Sequence, residues 1–246
     1  MRPVDIALIT GIFVLAGAVK GLTGMGLPLI AIGFLGLLMP PVHAAAFVVI
    51  PSLVSNLWQF LAGPDRLMLL RRMRWMLLAI VITTWACAGV IARSRSTFDT
   101  MLLGLALASY ALLGLSRVRM RVDRRHEHWL SPVVGAVTGV IAGATGVFSI
   151  PAVPYLQALG LEKDDLVQAL GLSFTTSTVS LAMGLASYGA FRASDVGTSV
   201  LCTVPALAGV LAGQALRARI DAATFRRVFL TGLLLLGGYL ALRAVL

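Results

Sequence analysis

A short glycine-rich stretch, Gly17-Ala-Val-Lys-Gly-Leu-Thr-Gly24, recurs in the second half of the chain as Gly139-Val-Ile-Ala-Gly-Ala-Thr-Gly146. Both copies read G-x-x-x-G-x-T-G, they stand 122 residues apart, and each is followed within five residues by a proline, Pro28 or Pro151. Each copy lies in an apolar segment, where glycine and proline at this density weaken a helix. A lipid environment tolerates such a break only where protein or a water-filled cavity covers the freed backbone groups. Two breaks in corresponding positions of two halves are the best sequence pointer to a transporter's binding site.

The bilayer follows from composition. The 246 residues are 59% hydrophobic and 12% charged, against about 25% charged in a soluble domain; the mean hydropathy is +0.94. The net charge of +10 does not point to nucleic acid, because the basic residues cluster in short loops between apolar spans, which is a topology signal. Met1 and Arg2 lead directly into the first apolar segment with no cleavage-site pattern, so this segment is expected to be retained. Cys87 and Cys202 fall in apolar spans and read as reduced core residues. They form no metal-ligand cluster with His43, His126 or His128, and no cofactor is implied.

Taken in order, the first half holds apolar segments at 4–19, 27–39, 43–62, 75–92 and 100–115, and the second at 130–142, 150–161, 166–187, 196–213 and 224–242. The second segment of each half is too short to span, since a crossing needs about 20 residues. The predicted fold is an all-α polytopic membrane protein with two inverted repeats of about five helical segments each, broken or re-entrant at the glycine stretches. The predicted organisation is an N-terminal transmembrane repeat (1–115), a basic cytoplasmic linker (116–128) and a C-terminal transmembrane repeat (129–246). An odd number of segments per half inverts the second half in the bilayer.

Loops 63–74, 116–128 and 214–227, placed on one side, carry thirteen arginines; the other side carries Arg2, Arg93, Arg95, Arg192 and Arg243. The rich side is expected to be cytoplasmic, with both termini outside the cell and Trp75 and Trp129 anchoring the interface.

A broken helix exposes N–H groups at the start of its second half, and with the helix dipole these form an anion site that needs no charged side chain. Thr23, Gly24, Gly26, Thr145, Gly146 and Val147 are the candidates at the breaks, expected to face one another near the midplane. The competing reading is helix packing, in which small residues four apart let membrane helices approach closely; it is favoured for Gly17 and Gly139. Lys20 stands beside the first break, with Ala142 as its counterpart; it either neutralises an anion or snorkels from a helix end. Ser52, Ser55, Asn56 and Gln59 share one helical face, and Ser173, Thr176, Ser177 and Ser180 share another. Of these, Asn56, Gln59, Ser173 and Ser177 are candidate neutral donors to an oxyanion, the alternative being hydrogen bonds between helices or to their own backbone. Gln168 is a weaker candidate, and His43 a candidate proton relay. All ten acidic residues fall at segment ends or in loops, an argument against a cation substrate.

The doubled G-x-x-x-G-x-T-G stretch, the prolines after it, the central basic linker and the chain length resemble the TauE/SafE family of sulfite exporters, also called four-toluene-sulfonate uptake proteins. The resemblance covers about residues 5–245. It implies transport of sulfite, sulfonates or related anions, driven by an ion gradient. The expected function is a secondary transporter moving a small anion across the cytoplasmic membrane by alternating access. A passive anion channel is the alternative. An intramembrane enzyme would need a nucleophile–base pair or metal cluster within the spans, and none is visible. The expected partners are a small anionic substrate and the lipid bilayer, not nucleic acid, and a homo-oligomer is compatible.

Overall fold

The structure, a computed structural model, describes residues 3–93, 97–116, 121–191, 193–217 and 219–244. Arg2, Arg95, Arg117, Arg119 and Arg192, which entered the arginine count, lie outside the described residues. The described residues form ten helices and no strand. In the first half these are α1 (Pro3–Thr23), α2 (Leu27–Leu35), α3 (Pro41–Ala62), α4 (Arg66–Arg93) and α5 (Thr97–Leu115). In the second half they are α6 (Arg124–Thr145), α7 (Ala152–Ala158), α8 (Lys163–Ser187), α9 (Ala193–Leu216) and α10 (Ala222–Arg243).

Seven of these, α1, α3, α4, α5, α8, α9 and α10, are long and apolar enough to cross a membrane. α6 is not among them: its first turns are charged, with Arg124, Arg125 and Glu127, and its remainder is diluted by His128, Ser131, Pro132, glycines and threonines. α2 and α7 are too short. Eight of the nine residues of α2 are buried, as expected of a helix that is apolar all round and enclosed by other helices.

Packing follows the 122-residue offset. α1 lies along α9 of the other half, and its counterpart α6 lies along α4 of the first half. α3 packs on α8 and α5 on α10. Small residues permit the closest of these approaches. A Cβ on Gly17 would strike the Ala206 carbonyl, and one on Gly21 the Val210 carbonyl. In the counterpart pair a Cβ on Gly139 would come within 2.8 Å of the Ile80 carbonyl oxygen and one on Gly143 within 2.7 Å of that of Thr84. The first two glycines of each stretch therefore serve helix contact, and the chain stays helical through them. The break itself is confined to Gly24–Gly26 in one half and begins at Gly146 in the other.

The ten acidic residues do lie at helix ends or in loops, yet two of them are enclosed. Asp99 and Asp195, in the first turns of α5 and α9, are 3% and 7% exposed.

Candidate functional site

At the first break the Thr23 hydroxyl lies 2.8 Å from the Val19 carbonyl oxygen, to which it can donate, and it accepts the Met25 N–H at 3.3 Å. Gly24 and Gly26 then take φ of 79° and 99°, a left-handed backbone that only glycine adopts freely. α2 starts at Leu27 with Pro28 in its first turn, where a missing N–H costs nothing.

Beside this break Lys20 is 4% exposed. Its Nζ donates to Asn56 Oδ1 on α3. Among the described residues no carboxylate lies within ion-pair reach of it. Lys20 therefore does not snorkel; it is a buried cation held by a neutral amide. One turn along α3, Gln59 Nε2 donates to the Gly24 carbonyl at 3.0 Å and to the Val167 carbonyl of α8 at 2.7 Å. Gln168 of α8 crosses the other way, donating to the Phe60 carbonyl at 2.8 Å and accepting the Asp65 N–H at 2.9 Å. Two glutamines thus clasp α3 to α8 next to the first break.

The second break repeats the backbone device without the polar neighbours. Thr145 donates to the Ile141 carbonyl at 2.7 Å and accepts the Val147 N–H at 3.1 Å, and Gly146 has φ 74°. At the offset of 122, Ala142 stands for Lys20, Thr178 for Asn56, Leu181 for Gln59, Phe148 for Gly26 and Phe174 for Ser52. The Phe148 and Phe174 rings pack at 5.4 Å between centroids. A Cβ on Gly146 would come within 2.9 Å of Ile32 and 3.3 Å of Ala45.

The two breaks do not converge on one point. Gln59 reaches the first, while Ala45 borders the second. Fourteen residues of one helix separate those contacts, about 21 Å at 1.5 Å per residue. α3 and α8 run antiparallel: Gly171 abuts Asn56 and Phe60, whereas Thr178 shares a cavity with Ser52 and Val48. Equivalent positions on an antiparallel pair fall at opposite ends, so each break is carried to its own end of α3 and α8. The Met25 and Val147 N–H groups are also engaged by the preceding threonines, so neither is open to a ligand in this geometry.

Most hydroxyls of α8 bond their own helix. Thr175, Thr176, Ser177, Thr178 and Ser180 each donate to the carbonyl four residues back at 2.7–3.0 Å, and Ser55 does the same on α3 at 2.7 Å. Ser177 therefore holds its proton on Ser173 O. Three buried polar atoms at the middle of the α3–α8 pair have no protein partner: Ser52 Oγ, Asn56 Nδ2 and Ser173 Oγ. Ser52 lines a cavity of about 10 Å³ with Ile32, Phe148, Thr178 and Leu181, space for roughly one water. Ser52 is legible in the sequence as the residue one turn before Asn56. The Lys20–Asn56 bond carries no sequence signal, because it joins residues on different helices. His43 sits at the far end of α3, its Nδ1 4.0 Å from Asp195 Oδ1 of α9, and the structure does not bring it to Lys20.

Residues 9–240 match the family described as Sulfite exporter TauE/SafE. No curated protein and no solved structure matches the chain. The match spans nearly the whole chain and takes in both breaks, the α3–α8 pair and all seven candidate spans almost end to end. A multi-pass helical membrane protein with one uncompensated buried lysine is thus placed among transporters: the chain belongs to the TauE/SafE sulfite exporter family.

Proposed function

We propose that this protein is a secondary transporter that carries a small anion, sulfite, a sulfonate or a related sulfur oxyanion or organic acid, across the cytoplasmic membrane by alternating access. The observation that carries the reading is Lys20. A cation enclosed at membrane depth is expensive, and here a neutral amide is its partner where a carboxylate would be expected. An entering anion supplies the missing charge. Asn56 Nδ2, Ser52 and Ser173 are unpartnered donors at the same part of the α3–α8 pair, and the first N–H groups of α2 have no helix carbonyl to bond. Thr23, Gly24, Gly26 and Gln59 shape this end of the site. Thr145, Gly146 and Val147 shape the opposite end, at which His43 is the candidate relay for a coupling proton.

The exchange of α1 and α6 between halves supports two repeats related by a pseudo-two-fold axis, joined by the linker at 116–128 and inverted in the bilayer. The arginine distribution supports a cytoplasmic linker and both termini outside. No chemical conversion of the substrate is part of this reading.

Counterflow of radiolabelled sulfite in proteoliposomes tests the proposal. Unlabelled sulfite inside the vesicle is expected to accelerate uptake of label, as a carrier requires. Uptake without such trans-stimulation would indicate a passive channel, and transport unchanged in Lys20→Ala would remove the lysine from the site.

A further inference from the structure

The side of the molecule that carries the arginine-rich loops holds a second, unrelated cluster. The N-terminal ends of α4 and α6 border a cavity of about 250 Å³. Arg72 and Glu127 join the helices across it by a two-point ion pair, 2.9 Å and 2.6 Å long. Three further guanidinium groups line the cavity, those of Arg71, Arg74 and Arg124, and none has a carboxylate within reach among the described residues. The fold does not require this charge. At the offset of 122, α9 carries Ala193, Ser194 and Val196 in place of Arg71, Arg72 and Arg74.

The surface next to the cavity is that of a protein facing lipid. Trp75 lies on its rim, half exposed, under the Arg74 guanidinium at 5.3 Å. From there Trp75, Leu78, Ile82 and Trp85 form an exposed apolar row along α4, and Val133, Val137 and Val140 form a second along α6. The two helices touch closely through Gly135, Gly139 and Gly143. A polar cavity with three unpaired cations therefore opens at the head of two adjacent apolar rows, with an aromatic ring at the boundary.

We infer that this cavity is a binding site for an anionic phospholipid, its phosphodiester headgroup held by Arg71, Arg74 and Arg124 and its acyl chains lying along the exposed rows of α4 and α6. Basic pockets between membrane helices recognise phosphate headgroups in this way, with each arginine near the membrane surface contributing on the order of 1 kcal/mol. A free oxyanion would satisfy the cations equally well but would make no use of the apolar rows, and this difference decides the occupant. The assignment does not depend on what the protein transports.

Native mass spectrometry of the purified protein with phosphatidylglycerol and phosphatidylcholine of equal chain length tests it. The expected result is a preference of at least about tenfold for phosphatidylglycerol. Near parity is expected in Arg71→Ala/Arg74→Ala/Arg124→Ala, which leaves the Arg72–Glu127 bond in place. If the triple variant does not fold, Arg124→Glu alone changes one exposed residue at the start of α6 and should still lower the preference several-fold. Millimolar inorganic phosphate is expected to leave lipid binding unchanged. An undiminished preference in the folded variants overturns the site, and displacement of the lipid by phosphate overturns the lipid in favour of a free anion.

Discussion

The two breaks open with the same backbone device and differ in what surrounds it. Each has a threonine that bonds back to its helix and accepts the N–H two residues on, followed by a left-handed glycine. Around the first stand Lys20, Asn56 and Gln59; the same offsets around the second give Ala142, Thr178 and Leu181. The device that interrupts the helix thus recurs at the offset of 122, while the side-chain chemistry around it does not. A repeat supplies two frames, and only one of them carries the charge. The recurrence of the break is therefore not a recurrence of the proposed site, which has a polar end and an aromatic end.

The largest expected contrast lies in the buried charge. Asn56→Leu leaves Lys20 enclosed with no partner, a loss on the order of 3–5 kcal/mol in denaturation. Thr178→Val, the matching change at the second break, removes only a hydroxyl that bonds its own helix and is expected to cost under about 1 kcal/mol. In proteoliposomes, Lys20→Ala should reduce anion flux by at least about a hundredfold, equivalent to roughly 2.7 kcal/mol of barrier, with Thr178→Val close to wild type. Equal effects at the two ends would dissolve the contrast.

A smaller difference is expected at the glycines. Gly24→Ala and Gly146→Ala both force a left-handed side chain, at about 1–2 kcal/mol each. Only at Gly146 does the new methyl also press on Ile32 and Ala45, at 2.9 and 3.3 Å; at Gly24 it meets Val167 at 3.8 Å. Thermal denaturation in detergent should therefore show the larger loss for Gly146→Ala, and the reverse order would mean that the aromatic end is the looser one.

The smallest effect concerns the matched aspartates, Asp99 buried in α5 and Asp221 exposed at the N-cap of α10. Hydrogen bonds from Thr224, and then from the Ala223 N–H, hold the Asp221 carboxyl below its ordinary value. A depressed folded-state pKa gives stability that is present above the unfolded value, about 3.9, and is lost as pH falls through the folded one. Asp221→Ala should thus lower the melting temperature slightly at neutral pH and leave it unchanged in strong acid. A loss that persisted in acid would assign the effect to something other than the ionised cap.

The frame was legible because it repeats. Ten segments, two short members, the offset of 122 and the positions of both breaks follow from apolar runs and punctuation by glycine and proline. α4 and α6, however, start at Arg66 and Arg124 where loops were expected, because arginine is a good helix former and charged first turns can continue an apolar helix beyond the lipid. Partner choice was not legible. Nothing in Gly17 or Gly21 says that the facing helix is α9, because small residues permit contact with any close neighbour. The convergence of the breaks was expected from their inversion and does not occur, since that expectation ignored the length of the α3–α8 pair between them. Lys20 was visible as an anomaly, but its bond to Asn56 depends on a helix crossing that no local pattern encodes. The hydroxyls of α8 showed the opposite problem. Their abundance suggested a lined pathway, whereas most are held by carbonyls four residues back, which left Ser173 as the exception that spacing alone did not single out.

The exchange of first helices between the halves also sets an order of assembly. α6 emerges after its partner α4 has been made, whereas α1 must wait for α9, whose contact residue Ala206 follows Gly17 by 189 residues. At about 5–20 residues per second of synthesis, that delay is roughly 10–40 s. Throughout it the glycine face of α1 lacks the helix it packs on in the folded protein, so among the described helices α1 waits longest for its main neighbour.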